Sequence, residues 1–155
     1  MSNNTSAAPS AAFLRPGWDA WAIGIAEAAA LRATCNRLAV GAVVLATDHT
    51  VIGVGYCGAR SGEPHCGPEC YPGGPPCRRT VHAEENALVH CEAVPAIGGT
   101  LYVTHNPCVA CLESAAYLRI ARVVYRTAYR HVGEAEVAAR GLGIMLEQAA
   151  DCVEI

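Results

Sequence analysis

Two short segments organise this sequence: His82-Ala83-Glu84 and, further along, Pro107-Cys108-Val109-Ala110-Cys111. A histidine with a glutamate two residues later, followed downstream by a proline and a Cys-x-x-Cys pair, is typical of a mononuclear zinc hydrolase. A catalytic zinc ion takes three protein ligands and keeps one position open for water. His82, Cys108 and Cys111 can supply these ligands, and two thiolates with one neutral imidazole leave the zinc site without net charge.

Glu84 fits the role of a proton shuttle better than that of a fourth ligand. Two residues beyond His82 on a helix, its side chain is rotated well away from the histidine. It can then face the open position, take a proton from the water and deliver it to the group that leaves. A Cys-x-x-Cys pair alone fits half of a structural zinc site or a redox pair equally well. The proline before it and the upstream His-x-Glu favour the catalytic interpretation.

Both segments are predicted at the start of a helix. The residues after His82 favour helix formation, which puts His82 and Glu84 in a first turn, and Pro107 suits a helix start. Cys108 and Cys111, three residues apart, then point from one face of the second helix. Helix N-termini carry partial positive charge, which favours thiolates. We therefore expect two helices to aim their N-termini at one metal ion.

Composition predicts one globular domain at residues 15–155, after a disordered tail at residues 1–14 that is rich in Ser, Asn and Ala. The chain has 155 residues, of which 52% are hydrophobic and 16% charged. A net charge of −3 gives no electrostatic footprint for long nucleic acids. No apolar run is long enough for a membrane span. Nine cysteines without a signal segment predict metal ligands in a reducing cytoplasm rather than disulfides.

The spacing of apolar residues predicts a hairpin followed by alternating helices and strands. Residues 18–34 carry a helical stripe in which Trp18 and Trp21 are expected as core anchors. Two β-branched runs, 40–46 and 51–56, predict an antiparallel hairpin. After an irregular loop at 59–80, the pattern predicts helices at 82–91, 108–118 and 133–140 and strands at 100–104, 122–125 and 143–147. This order predicts an α/β fold, a three-layer α/β/α sandwich with a five-stranded mixed sheet.

The chain resembles the deoxycytidylate (dCMP) deaminase branch of the cytidine deaminase superfamily from about Arg15 to Tyr129. The His-x-Glu and Pro-Cys-x-x-Cys segments are the general signature of zinc deaminases. Six further segments are similar to the family: Arg15-Pro16-Gly17-Trp18-Asp19, Thr34-Cys35-Asn36-Arg37, Val40-Gly41-Ala42-Val43-Val44, Gly55-Tyr56-Cys57-Gly58, Gly99-Thr100-Leu101-Tyr102-Val103-Thr104 and Val123-Val124-Tyr125.

The resemblance implies a zinc-dependent hydrolase that acts on a C–N bond of a cyclic amidine. It would replace the 4-amino group of a cytosine nucleotide, dCMP or a close relative, with oxygen from water and release ammonia. The expected partners are thus a small pyrimidine nucleotide or related heterocycle and water, with no long nucleic acid and no membrane. The resemblance also implies a homo-oligomer, since active sites in this superfamily are usually completed by neighbouring subunits.

A second, structural zinc is also implied, because some members hold one between a cysteine before the first strand and others in the long loop. The matching positions are Cys35 and Cys66, with Cys70 and Cys77 beside them. Four thiolates would form a closed tetrahedral site that orders the loop. The alternatives are that these are reduced loop thiols, or that His65 replaces one ligand.

Two departures from the family pattern concern the substrate. Cys57 stands where the family has an asparagine that engages nucleotide, and a thiol is only a weak donor. This change argues against regulation by dCTP. The His-x-Glu helix ends in Cys91-Glu92-Ala93, where a basic residue is common. Arg60, or Arg78 and Arg79, could bind the phosphate instead; they are equally well interpreted as solvated loop charges.

The remaining candidate substrate contacts flank the metal segments. They are Ala83, Asn106, Pro107 and Tyr129. Tyr129 is expected to stack on a ring. Asn106 fits a helix-capping role as well as a pocket role.

Two alternatives to a nucleotide deaminase remain open. The departures favour an unphosphorylated nucleoside, base or nucleoside-like natural product as substrate. The other is a non-catalytic, zinc-stabilised binding protein. Glu84 argues against it, because a purely structural site needs no carboxylate at this position.

Overall fold

The computed structural model describes residues 15–71, 73, 74, 77 and 79–150, so the expected tail at 1–14 lies outside the described residues. The helices and strands along these residues, in chain order, are α1 (Trp18–Ala30), β1 (Gly41–Leu45), β2 (Val51–Tyr56), β3 (Gly58–Ala59), β4 (Thr80–Val81), α2 (Ala83–Val89), α3 (Ala93–Ala96), β5 (Thr100–His105), α4 (Val109–Tyr117), β6 (Arg122–Thr127), α5 (Val132–Leu142) and β7 (Met145–Gln148). In this part of the chain, no helix has the length and apolar character that crossing a bilayer requires.

The main sheet has five strands in the order β2-β1-β5-β6-β7. Strand β1 runs antiparallel to both β2 and β5, whereas β5, β6 and β7 run parallel to one another. The predicted hairpin and the predicted five-stranded mixed sheet are therefore confirmed. Because β5 and β6 are parallel, with His105 paired to Thr127, the loops that follow these two strands leave the sheet side by side.

The sheet separates two hydrophobic clusters. Because successive residues of a strand point to opposite faces, Val43 and Val44 of β1 belong to different clusters. The cluster under α1 contains Ala22, Ile23, Ala26, Val43, Leu45, Tyr102 and Val124. The cluster under α2, α4 and α5 contains, among others, Val44, Ala87, Leu101, Val103, Leu112, Ala115, Val123, Ala135 and Ala139. Helices on both faces confirm the three-layer α/β/α sandwich.

The expectation that Trp18 and Trp21 anchor the core is wrong. Their side chains are 45% and 37% exposed, and the Trp18 ring stacks on His49 at a centroid distance of 4.2 Å. The physical reason is the close packing of α1 on β1. A Cβ atom added at Gly41 would lie only 1.9 Å from the carbonyl oxygen of Ala26. The buried face of α1 at this contact is formed by Ala22, Ile23, Ala26 and Ala29, and the two indoles lie outside it.

Glycines in β2 also let α2 approach the sheet closely. A Cβ atom at Gly55 would lie 2.3 Å from the carbonyl oxygen of Ala83, and one at Gly53 would lie 2.3 Å from that of Ala87. Backbone oxygens cannot move away as a flexible side chain can. Because these two positions have no side chain, α2 can pack closely on the sheet. This close packing also sets the position of the histidine just before α2.

An ion pair joins α1 to the far half of the sheet. The Arg122 guanidinium donates two hydrogen bonds to the Asp19 carboxylate, at 2.8 and 2.7 Å, and a third to Glu147. The mostly buried Tyr102 hydroxyl also donates to Asp19, at 2.8 Å. The Arg122 hydrogen bonds outweigh the opposing effect of burial and hold the pKa of Asp19 below its usual value.

Asp19→Asn is expected to lower the free energy of unfolding at pH 7 by about 1 kcal/mol, because an amide cannot accept both bonds of this bidentate pair, which solvent partly screens. The folded pKa of Asp19 lies below its unfolded value, so this contribution is present at neutral pH and is lost as the pH falls through the folded pKa. Urea unfolding at pH 7, and at pH values below about 4, measures both effects. Glu27→Gln, which breaks the single exposed pair with Arg126, is the control. Equal losses in the two variants would contradict the assignment.

Candidate active site and metal centre

The two helix N-termini meet at one point, next to the end of β5. His82 and Cys108 are the N-cap residues of α2 and α4, each in extended backbone conformation. Pro107 is fully buried and precedes the first turn of α4. Cys111 follows inside that first turn and is fully buried. Each helix thus contributes its positive end to the same small volume.

His82, Cys108 and Cys111 have the spacing of zinc ligands. The His82 Nδ1 atom lies 3.3 Å from the Cys111 Sγ atom and 3.7 Å from that of Cys108, and the two Sγ atoms are 3.5 Å apart. Tetrahedral zinc with ordinary Zn–S and Zn–N bonds requires ligand atoms about 3.6–3.8 Å apart. The three observed distances lie within about 0.3 Å of these values, so small side-chain adjustments would let the three residues hold a zinc ion. Across the described ranges, no other set of three His, Cys, Asp or Glu ligand atoms is so closely grouped.

The electrostatics of this group favour a thiolate. The neighbouring thiol of Cys111 and the imidazole of His82 lower the pKa of Cys108 to about 4. The same hydrogen bond with Cys108 raises the pKa of Cys111, and burial adds to that effect. The hydrogen bond with Cys108 raises the pKa of His82 to about 9. A cation in the middle of the three is the species that would satisfy two thiolates and a neutral imidazole together.

Glu84 lies in the first turn of α2 with only 4% of its surface exposed. Burial raises the pKa of its carboxyl group to about 7. It does not belong to the group of three ligand atoms, but it lines the same cavity as His82 and Cys108. This is the arrangement that general acid–base chemistry at a metal centre requires.

The metal centre opens into a cavity of about 470 Å³. Besides His82, Glu84 and Cys108, its lining residues are Leu38, Val40, His105, Asn106, Val109, Ala110, Tyr129, Arg130, His131 and Glu134. A second cavity of about 350 Å³ adjoins it, and the two share Leu38, His82, Tyr129 and Arg130. This volume is suited to a small molecule rather than to a polymer.

Asn106, Tyr129 and Cys57 lie around these cavities. Asn106 and Tyr129 line the metal cavity, and Tyr129 packs edge-on against His105 at a centroid distance of 5.9 Å. Cys57 lines the adjoining cavity, where its thiol donates to the carbonyl oxygen of Leu38. Burial raises the pKa of Cys57 to about 11, so the thiol stays neutral. Ala83 is buried at the start of α2, directly between the two functional residues of that segment.

The basic candidates lie elsewhere. Arg60 lines a separate groove between α2 and α4, so the structure does not bring it to the metal cavity. Arg79 donates to the carbonyl oxygen of Pro64 in the long loop. Arg78 lies outside the described residues. The arginines that do line the two cavities, Arg130 and Arg37, were missed by sequence reasoning. The signal for Arg130 is its position directly after Tyr129.

The four cysteines proposed for a second metal lie in one region. Thr80 Oγ1 is 3.2 Å from the Cys77 Sγ atom and 3.8 Å from that of Cys35. The hydrogen bond with Thr80 lowers the pKa of Cys77 to about 7. Burial, with a hydrogen bond to Cys66, raises the pKa of Cys70 to about 11. These thiols influence one another, but no three of them reach the close grouping of the metal centre above.

Comparison with known proteins agrees with this geometry. Residues 16–127 match the family model of the cytidine and deoxycytidylate deaminase zinc-binding region. A deoxycytidylate deaminase of Mycobacterium phage D29 is 45% identical over 123 residues, which are 72% of this chain and 95% of the relative. ComE operon protein 2 of Bacillus subtilis is 36% identical over 137 residues, 86% of this chain and 72% of the relative.

Among solved structures, the dCMP deaminase of cyanophage S-TIM5 in complex with dCMP and dUMP is similar, with a TM-score of 0.75 and 28% identity. The alignment covers 88% of this chain and 99% of the phage protein. The family model, the relatives and the shared fold agree with the His/Cys/Cys group found at the helix N-termini. This chain belongs to the zinc-binding cytidine and deoxycytidylate deaminase family.

Proposed function

We propose that this protein converts dCMP, or a closely related cytosine nucleotide, to the uracil nucleotide and ammonia. The observation that carries the proposal is that Glu84 lines the same cavity as His82 and Cys108, whose ligand atoms form one close group with that of Cys111. The relatives named deoxycytidylate deaminases and the phage structure with dCMP and dUMP support the choice of substrate.

Each residue then has a defined task. His82, Cys108 and Cys111 hold zinc, which when bound supplies the Lewis acidity that makes water a nucleophile at neutral pH. Glu84 takes one proton from the attacking water and delivers it to the ring nitrogen, then takes the second from the new hydroxyl group and delivers it to the departing amine. The Tyr129 ring offers a face on which the base can stack. The apolar side chains of Leu38 and Val40 line the same cavity.

The test is ammonia release by the purified protein with dCMP, CMP, deoxycytidine, cytidine and cytosine. We expect the highest kcat/KM for dCMP. Turnover restricted to the three unphosphorylated compounds would contradict the nucleotide assignment while leaving the deaminase chemistry intact. Zinc binding without turnover of any of the five would contradict the deaminase assignment for cytosine compounds.

One observation supports the second candidate, a deaminase of an unphosphorylated nucleoside or related heterocycle. Cys57 offers substrate only a neutral thiol that already donates to the carbonyl oxygen of Leu38. It therefore cannot replace the amide of asparagine as a donor to nucleotide. The same substrate panel decides between the two candidates.

We also propose a second, structural zinc held by Cys35, Cys66, Cys70 and Cys77. The mutual effects of these thiols on their pKa values support it, as does the loop that they would fix. Such a closed site has no catalytic role. The prediction is two zinc ions per chain by elemental analysis, and a Cys70→Ser variant that retains one. A single zinc in the wild-type protein would overturn this second site.

We expect the protein to be a homo-oligomer and to be located in the reducing cytoplasm. Apolar side chains around the groove between α2 and α4 are exposed, including Val89 at 78% and Tyr117 at 88%. Exposed apolar patches of this kind are typical of subunit contacts. The thiolate ligands require reducing conditions. Light scattering on the eluting protein tests the oligomer, and a monomeric mass at micromolar concentration would contradict it.

A further inference from the structure

His105 is the last residue of β5 and lines the metal cavity. It is not one of the three residues whose ligand atoms are grouped for a metal ion. Its ring packs edge-on against Tyr129, with an interplanar angle of 81°. Burial lowers the pKa of the imidazole, so the ring is neutral at pH 7. The cavity therefore contains a neutral histidine outside the metal-ligand group.

Thr104 forms a hydrogen bond with the imidazole of His105. Its Oγ1 atom lies 3.1 Å from His105 Nδ1. The same oxygen accepts a hydrogen bond from the backbone N–H of Gly41, the first residue of β1, at 3.2 Å. Thr104 is only 6% exposed, so its hydroxyl proton needs an acceptor within the protein. Among the hydrogen bonds of the described residues, His105 Nδ1 is the one acceptor in contact with this hydroxyl group.

This arrangement determines which ring nitrogen of His105 carries the proton. A backbone N–H can only donate, whereas a hydroxyl group has one proton to donate and can also accept. Thr104 therefore accepts from Gly41 and donates to Nδ1. In a neutral imidazole whose Nδ1 accepts, the proton is on Nε2, which is then a donor. Within the described part of the chain, the hydrogen bonds include no acceptor for this Nε2–H group.

A molecule bound in the cavity can supply the missing acceptor. The neighbouring polar side chain, Asn106, is already bonded at both ends of its amide: Nδ2 donates to the carbonyl oxygen of Arg130, and Oδ1 accepts from the N–H of Tyr129. A pyrimidine that reaches Glu84 occupies the same cavity as His105. Small-molecule sites use a few such polar groups to set specificity, and a donor left without a partner is unfavourable.

We propose that His105 is a specificity-determining residue whose Nε2–H donates to an oxygen atom of the substrate, and that Thr104 is the positioning residue that fixes this tautomer. This rests on the proposed deaminase function but does not depend on a phosphate group. Cytosine compounds offer two kinds of oxygen acceptor. One is the carbonyl oxygen of the ring, and the other is a hydroxyl oxygen of the sugar. A neutral N–H group can bind either of them.

The tautomer is tested by the ¹⁵N NMR spectrum of the histidine rings at about pH 8, above the usual pKa of histidine. The signals of His105 are identified by their absence from the spectrum of His105→Phe. We expect a single tautomer with a protonated Nε2 and an unprotonated Nδ1. Thr104→Ser, which keeps the hydroxyl group, should keep this tautomer, and Thr104→Val should give a mixture of both. A proton on Nδ1 in the wild-type protein would overturn the inference.

The use of the donor is tested by kcat and KM for dCMP. His105→Phe keeps a ring that can pack on Tyr129 but removes the donor. We expect kcat/KM to fall by about 10- to 100-fold with zinc content unchanged, because an acceptor of the substrate loses its partner. Thr104→Val should lower kcat/KM in the same direction, and Thr104→Ser should not. His90→Phe, at the exposed C-terminal end of α2 and outside both cavities, is the matched control.

The monophosphate of 2′,3′-dideoxycytidine, which lacks the sugar hydroxyl groups, identifies the acceptor. If the acceptor is the ring carbonyl oxygen, His105→Phe lowers kcat/KM for this compound by the same factor as for dCMP. If it is a sugar hydroxyl, the wild-type protein already loses that factor with the dideoxy compound, and His105→Phe adds little, because both changes remove one contact.

The outcomes separate this inference from the function on which it depends. If the wild-type protein deaminates dCMP and the kcat/KM of His105→Phe stays within about 3-fold of wild type, less than the loss of a hydrogen bond, the donor assignment is wrong and the deaminase proposal stands. If the wild-type protein deaminates only unphosphorylated compounds, the same variants are compared on deoxycytidine with the same expected loss. If it deaminates no cytosine compound, both the deaminase proposal and the assignment of His105 are wrong.

Discussion

Glu84→Gln is expected to lower kcat for dCMP by about 10³- to 10⁴-fold, the upper part of the range for a positioned general acid–base group. The substitution preserves the size of the side chain but removes the group that accepts and returns a proton. Glu84 is 4% exposed at the wall of the metal cavity, so water cannot readily replace it. Steady-state measurement of ammonia release gives the comparison.

Zinc content and stability show whether the lower kcat comes from the lost carboxylate rather than from lost zinc or poor folding. The variant should bind zinc as the wild-type protein does, because Glu84 is not among the three grouped ligand atoms. It should also be at least as stable, because the burial that raises the pKa of Glu84 does not penalise a neutral amide. A kcat within about 10-fold of wild type, with zinc bound, would show that another group moves the proton.

Cys111→Ser is expected to reduce activity to the background rate and to weaken zinc binding by more than about 100-fold, beyond the usual effect of losing a residue that only supports a ligand. The Cys111 thiol is fully buried, and its Sγ atom lies 3.3 Å from His82 Nδ1 and 3.5 Å from Cys108 Sγ. A serine hydroxyl is a poorer zinc ligand than a thiolate. Elemental analysis after dialysis and the ammonia assay measure the two effects.

Cys91→Ser is the matched control for this loss. The Cys91 thiol donates to the carbonyl oxygen of Leu88, a bond that a serine hydroxyl can keep, and it is remote from the metal centre. This variant should retain zinc and activity. Removing zinc from the wild-type protein with a chelator should also abolish turnover, and adding zinc back should restore it. Full activity of Cys111→Ser without bound zinc would contradict the ligand assignment.

Local patterns predicted most of the fold. The β-branched runs at 40–46 and 51–56 correspond to β1 and β2. The later alternation of strands and helices corresponds to the elements from α2 onward except α3, with ends shifted by a few residues. The metal centre could also be predicted from the sequence, because His82 and Cys108 each precede a helix and the spacing of Cys111 places it on the same face as Cys108. Short-range periodicity and helix-terminus chemistry are enough for such features.

Features that depend on contacts between distant segments were not predictable in this way. The exposure of Trp18 follows from the backbone contact between α1 and Gly41, which periodicity does not reveal. The short pairing of β3 with β4 and the four-residue helix α3 lie in stretches without a clear pattern. Arg130 reaches the cavity because β5 and β6 are parallel neighbours, which brings its loop beside Asn106.

The central claim is that this chain replaces the amino group of a cytosine nucleotide with oxygen from water. The most direct test is incubation of the zinc-loaded protein with dCMP in ¹⁸O-labelled water, followed by mass spectrometry of the pyrimidine product and measurement of ammonia. The account predicts dUMP that carries one ¹⁸O atom on the ring, formed in equal amount with ammonia and at least about 10³-fold more slowly with Glu84→Gln. Recovery of unchanged dCMP from a protein that holds zinc at His82, Cys108 and Cys111 would contradict it.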